Sequence, residues 1–85
     1  MGKNDADVEK RFKAIVIDVL GADAKKLKGS TRFVQDLHAK SVDIIALIAA
    51  TEGEFGIKIT PHEASQNTTV KKTIDCIKKE LKARR

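Results

Sequence analysis

The run that follows Ser41 sets the tightest limit on what this chain can fold into. From Val42 to Ala50 only Asp43 is not apolar. At 3.6 residues per turn, Val42, Ile45 and Ala49 fall along one side and Ile44, Ile48 and Thr51 along the next stripe. Leu47 and Ala50 carry apolarity further round. A helix lying on a protein surface needs only one such stripe. This one must be nearly enclosed by protein, or must offer its second side to a guest or a partner. The approach, Asp36-Leu37-His38-Ala39-Lys40, is polar and turn-like. Ser41 stands at the mouth, where a serine hydroxyl can cap the helix by accepting from free N–H groups of the first turn.

The remaining elements are punctuated clearly. Val8, Phe12, Ile15 and Val19 recur at helical spacing, Val16 widens the stripe, and Ile17 faces the other way. Gly21 then suits a left-handed cap, so the first helix is predicted over about 5–20. Residues 22–40 are too many for a simple turn. Leu27, Phe33, Val34 and Leu37 anchor them, a short helical turn is expected at Thr31–Val34, and Asp36 is placed to bond local backbone donors. The apolar helix is predicted over 41–55, with Gly56 as its cap. Ile57 and Ile59 alternate with Lys58 as an extended connector. Thr60-Pro61-His62-Glu63 has the form of a capping box with proline at the first helical position, opening a short helix over 60–66. Val70, Ile74, Ile77 and Leu81 mark a last helix over 69–83, with Lys71, Lys72, Lys78, Lys79 and Lys82 turned outward. The expectation is an all-α four-helix bundle in one domain, residues 1–85, with a short third helix and a long first connection.

Composition narrows function by exclusion. There is no Trp or Tyr and there are three Phe, so the core is aliphatic and base-stacking platforms are not expected. No apolar run approaches the roughly 20 residues of a membrane span. The polar start lacks the apolar stretch of a signal peptide, and Ala6 stands where a Met1-Gly2 myristoylation motif wants Ser or Thr. A cytoplasmic location and a monomer are expected. One cysteine, Cys76, leaves no internal disulfide and reads as a small packing residue. His38 and His62 lack zinc-ligand spacing. The net charge of +5 raises the question of nucleic acid. The lysines are spread over helix faces, with few arginines and no helix-turn-helix pattern, so no specific nucleic-acid partner is expected.

No catalytic constellation accompanies Ser41. It has no GxSxG elbow, and His38 has no partner identifiable from sequence. Glu52, Glu54 and Glu63 belong to separate helix ends. What the position does offer is the positive end of a helix, where a phosphate ester is supported by backbone N–H groups and by a cation such as Lys40.

The chain resembles the acyl carrier protein family from about Val8 to Leu81. The likeness lies in Phe33-Val34-Gln35-Asp36-Leu37 leading to a serine at a helix head, in Glu54-Phe55-Gly56-Ile57-Lys58-Ile59 before a short helix, and in Thr68-Thr69-Val70 opening the last. The resemblance implies that Ser41 receives 4′-phosphopantetheine from coenzyme A through a phosphopantetheinyl transferase. Acyl groups would then be held as thioesters for fatty-acid, polyketide or related lipid biosynthesis. It also implies that acyl-loading and acyl-processing enzymes read the second helix. Lys40, Val42, Asp43, Ile45, Ala46, Ala49 and Ile59 are the candidate contacts for partners or the acyl chain.

Departures from the family pattern point to a specialised carrier. Members usually show Asp-Ser-Leu at the attachment point, where this chain has Lys40-Ser41-Val42, and His38 replaces a usual glycine. The second helix is poor in acids before Glu52, and Ala46 is neutral where an acid is frequent. The competing readings are an unmodified helical interaction module and a basic nucleic-acid-binding bundle.

Overall fold

The computed structural model describes residues 5–83, with side chains from Asp7 onward. Met1-Gly2 and Arg84-Arg85, which entered the reading of targeting and charge, lie outside the described residues. Four α-helices follow one another: α1 (Asp5–Leu20), α2 (Ser41–Phe55), α3 (Pro61–Gln66) and α4 (Val70–Ala83). Each predicted helix is present, with ends agreeing to about one residue. Gly21 and Gly56 adopt φ of 68° and 64° and close α1 and α2 in the left-handed conformation that only glycine enters without penalty. The capping box at α3 is formed: the Glu63 N–H donates to Thr60 Oγ1 at 3.1 Å, and the Thr60 N–H donates back to Glu63 Oε1 at 3.0 Å. The Thr69 hydroxyl accepts from the Lys72 N–H at 3.2 Å and starts α4.

Phe12, Val16, Val70, Ile77 and Thr51 are the most deeply buried residues. Val16 lies one turn beyond Phe12 on the α1 face that enters the core, so Val8, Phe12 and Val16 form the central stripe. Ile15, Val19 and Ile17 pack against its edges, half-buried. The expected stripe through Ile15 and Val19 was therefore about one residue out of phase. All three phenylalanines are buried, and Phe12 meets Phe33 edge-to-face at 6.3 Å. Arg11 of α1 clamps the end of α2. Its guanidinium lies 4.6 Å from the Phe55 ring centroid and donates to the Glu54 carboxylate at 2.9 Å and to the Glu54 carbonyl at 3.0 Å.

The long connection is ordered because it supplies acceptors that α4 needs. The first N–H groups of a helix have no partner within it. Here the Val70 N–H donates to Thr31 O at 3.0 Å and the Lys71 N–H to Gly29 O at 2.8 Å, while the Phe33 N–H donates to Thr68 O at 3.2 Å. No helix forms at Thr31–Val34, where a short helical turn was expected. In its place a single turn one to two residues later is closed by the Asp36 N–H donating to Arg32 O at 3.0 Å, and an isolated antiparallel bridge between Arg32 and Thr69 ties it to the residue before α4. The connection's helical piece is a single 3₁₀ turn, Ala24–Lys26, capped by the Asp23 carboxylate on the Lys25 N–H at 3.0 Å.

Candidate functional site

The segment Arg32–Lys40 delivers the chain to Ser41, and Asp36 shapes it. Its carboxylate accepts from the Arg32 N–H at 2.8 Å and from the Arg32 guanidinium at 3.2 and 3.1 Å, as the sequence suggested for local backbone donors. These bonds hold the Asp36 carboxyl below its usual range. The Ala39 N–H returns to Phe33 O at 2.9 Å and closes the approach. His38 then takes φ of 58°, the left-handed region that a side chain with a Cβ enters at a cost.

Ser41 is the first residue inside α2 rather than its N-cap. The cap position is Lys40, and the bond at this helix start comes from Asp43, whose carboxylate accepts the Lys40 N–H at 2.9 Å. The reason is geometric. An N-cap residue must be non-helical so that its side chain can turn back onto the first turn, and it is Lys40 that has extended backbone, with φ −99° and ψ 173°. The Ser41 side chain is exposed, and among the described residues nothing is hydrogen-bonded to its hydroxyl.

The two sides of α2 have different fates. Leu47, Thr51 and Phe55 are buried, with Ile44 and Ile48 packed against the core beside them. Val42 and Ile45 are 69% and 66% exposed, and Ala46 and Ala49 are exposed with them. The surplus apolarity in the sequence is thus a solvent-facing stripe that starts beside Ser41. Asp43, half-buried, is occupied with the helix start, so the outer stripe carries no acid. Ile59 is not on this surface. It is buried behind α2, where with Phe33, Ile44, Leu47, Ile48 and Ala64 it walls a small cavity of about 30 Å³.

The other candidates have structural partners. Glu54 meets Arg11. Glu52 accepts the Ile59 N–H at 2.7 Å and so fixes the connector, and Glu63 caps α3. Cys76 is half-buried, and burial pushes its thiol up, away from the reactive thiolate. Among the described residues, no three His, Cys, Asp or Glu side chains converge as a metal site, and no helix is long and apolar enough to cross a membrane. Sequence reasoning missed the Arg11 clamp and the polar members of the cavity wall.

Comparison with known proteins gives this geometry its family. The family model described as "Phosphopantetheine attachment site" matches residues 10–77. A solved structure of the acyl carrier protein from Enterococcus faecalis, described for its high thermal stability, superposes with a TM-score of 0.78. At 22% identity the match spans 91% of this chain and 98% of that one, which establishes the shared fold. The chain belongs to the acyl carrier protein family, whose prosthetic group is a covalently attached 4′-phosphopantetheine.

Proposed function

We propose that Ser41 is the attachment point of the phosphopantetheine arm and that this protein is a carrier of acyl thioesters, not an enzyme. The observation that carries the reading is an exposed hydroxyl with no structural duty at the first turn of α2. The donor set fits a phosphate ester. First-turn N–H groups of a helix lack partners within it and favour an anion, and the Lys40 ammonium is one residue away. When bound, the arm supplies a terminal thiol for thioester formation, so Cys76 is not needed for cargo. The chain's own contribution is to hold the ester at the helix end and to present the outer α2 stripe to enzymes that act on the cargo.

That stripe defines the partners in kind. Val42, Ile45, Ala46 and Ala49 offer apolar contact, and Lys40 sets a positive charge at its Ser41 end. A transferase or synthase that meets its carriers through a basic face would bring like charges together, at about 2–5 kcal/mol if desolvated and much less at a wet rim. The protein is accordingly a specialised carrier in lipid or related biosynthesis, served by its own enzymes, and works as a cytoplasmic monomer. The test is to incubate the unmodified protein and its Ser41→Ala variant with coenzyme A and either a broad-specificity or a housekeeping transferase. Mass spectrometry should show a single phosphopantetheine on the parent, added faster by the broad enzyme, and none on the variant. Labelling of Ser41→Ala would remove the assignment, and equal rapid labelling by both enzymes would remove the specialisation.

A further inference from the structure

Lys40 aside, the net charge of +5 has no task in the carrier reading, and much of it stands on one side of α4. At 3.6 residues per turn, Lys71, Lys72, Lys79 and Lys82 fall within an arc of about 100°, turned away from the buried Val70, Ile74 and Ile77. All four are exposed. The one acid among them is Asp75, which Lys71 meets at 3.2 Å. The connection adds a fifth charge: the Lys71 N–H donates to Gly29 O at 2.8 Å, and exposed Lys28 stands next to that glycine. The helix gains little from this arrangement. α4 has no acid in its first turn, so Lys71 and Lys72 sit at the wrong end of the helix dipole. Lys79 and Lys82, three residues apart, repel on the same face. The first N–H groups of α4 are already taken by Thr31 O and Gly29 O, so the lysine side chains, not the helix end, make the face. Its charge is left to be answered from outside the chain.

We propose that this face of α4 is a docking surface for an anionic lipid bilayer, on which the helix lies flat with Lys28, Lys71, Lys72, Lys79 and Lys82 among the headgroups. The contact is peripheral and reversible, because the apolar side of α4 stays in the core and nothing inserts. The make-up of the face selects this partner. Protein interfaces are built on desolvated aromatic and Arg anchors and are depleted in lysine. Single-stranded nucleic acid calls for a groove with stacking aromatics, and all three phenylalanines are buried. Duplex readers bring Arg or Asn to base edges, and the outward side of α4 has neither. A bilayer asks for none of these. Clusters of four or more basic side chains suffice, each strengthening binding about fivefold near an anionic surface. The 14 residues of α4 run about 21 Å, so the charges are spread over a surface rather than focused on one ion. Ser41, Val42 and Ile45 belong to α2, and lipid contact and enzyme contact therefore use different residues.

The test is flotation of the full-length protein with vesicles of one third phosphatidylglycerol and two thirds phosphatidylcholine. Binding should be present at about 0.05 M salt, fade by about 0.5 M, and be absent on phosphatidylcholine alone. Lys72→Gln combined with Lys82→Gln should weaken it roughly 30-fold. Lys10→Gln combined with Lys58→Gln removes the same charge from exposed positions on α1 and the α2–α3 connector, and should leave binding within about threefold of the parent. Helical circular dichroism checks that each variant is folded. Ser41→Ala should bind as the parent does, which keeps this result separate from the attachment assignment. Absence of binding to the anionic vesicles at low salt overturns the proposal. Equal loss in the two double variants also overturns it, since net charge rather than the α4 face would then be responsible. A random DNA duplex that binds more tightly than the vesicles at equal salt, and is weakened most by the Lys72 and Lys82 changes, assigns the face to nucleic acid and overturns the lipid assignment.

Discussion

Exchanging Ser41 and Asp43 in turn separates what holds the helix start from what is free for chemistry. Asp43→Ala removes the acceptor for the Lys40 N–H, a bond of 2.9 Å, and a carboxylate from the positive end of α2. Loss of such a capping interaction costs about 0.5–2 kcal/mol, and loss of the charge–dipole term about 0.3–1 kcal/mol more. The sum is about 1–3 kcal/mol. In a domain of this size each kcal/mol lowers the melting temperature by roughly 4–8 °C. Ser41→Ala removes a solvent-facing hydroxyl with no partner at a position where alanine is the better helix former, so its effect should lie within about 0.5 kcal/mol. Asp43→Asn, which keeps an acceptor and loses the charge, should fall between them. Thermal and urea unfolding followed by circular dichroism give all three values. If Ser41→Ala costs as much as Asp43→Ala, the serine is the cap after all, and the argument that its hydroxyl is free for an ester fails.

Other outcomes follow from the same geometry. Arg11→Ala removes a stacked guanidinium and two hydrogen bonds across the α1–α2 seam. It should destabilise by about 1–2 kcal/mol, discounted for partial exposure, and an unfolding shift below about 0.3 kcal/mol would show that the clamp contributes nothing. His38→Gly should be neutral or stabilising by up to about 1 kcal/mol, because strain at φ 58° is relieved against the greater freedom of glycine when unfolded; His38→Val should destabilise, and the reverse order of melting temperatures contradicts this. Asp36 and Glu63 have folded pKa values lowered from 3.8 and 4.5. Their stabilisation is in place at neutral pH, begins to fall as the pH approaches those ordinary values, and is lost once it passes below the lowered ones. Asp36→Asn should therefore flatten the acid limb of the stability curve, and an unaltered limb would count against the Asp36–Arg32 pairing.

The helices were legible because their boundaries are written in residues with few conformational options. Gly21 and Gly56 stop α1 and α2, and Thr60-Pro61 with Glu63 starts α3. The side of α2 that would be left outside was not legible, since its stripes are about equally apolar. Only the packing of Ile44, Leu47 and Thr51 against the core decides that Val42 and Ile45 face solvent. The 3₁₀ turn at Ala24–Lys26 is too short to have a period. The Thr31–Val34 segment follows tertiary demand, because its backbone serves the orphan donors of α4. The place of Ser41 was missed by one residue, since serine is a favoured cap and the extended backbone of Lys40 leaves no trace in sequence. The Arg11 clamp depends on side chains meeting across elements, which local spacing does not encode.

The attachment at Ser41 is tested most directly by intact-mass and peptide mapping of the protein isolated from its own cells. The predicted result is one phosphopantetheine, free or acylated, confined to the peptide containing Ser41. Material that performs its cellular role with that serine always bare would contradict it.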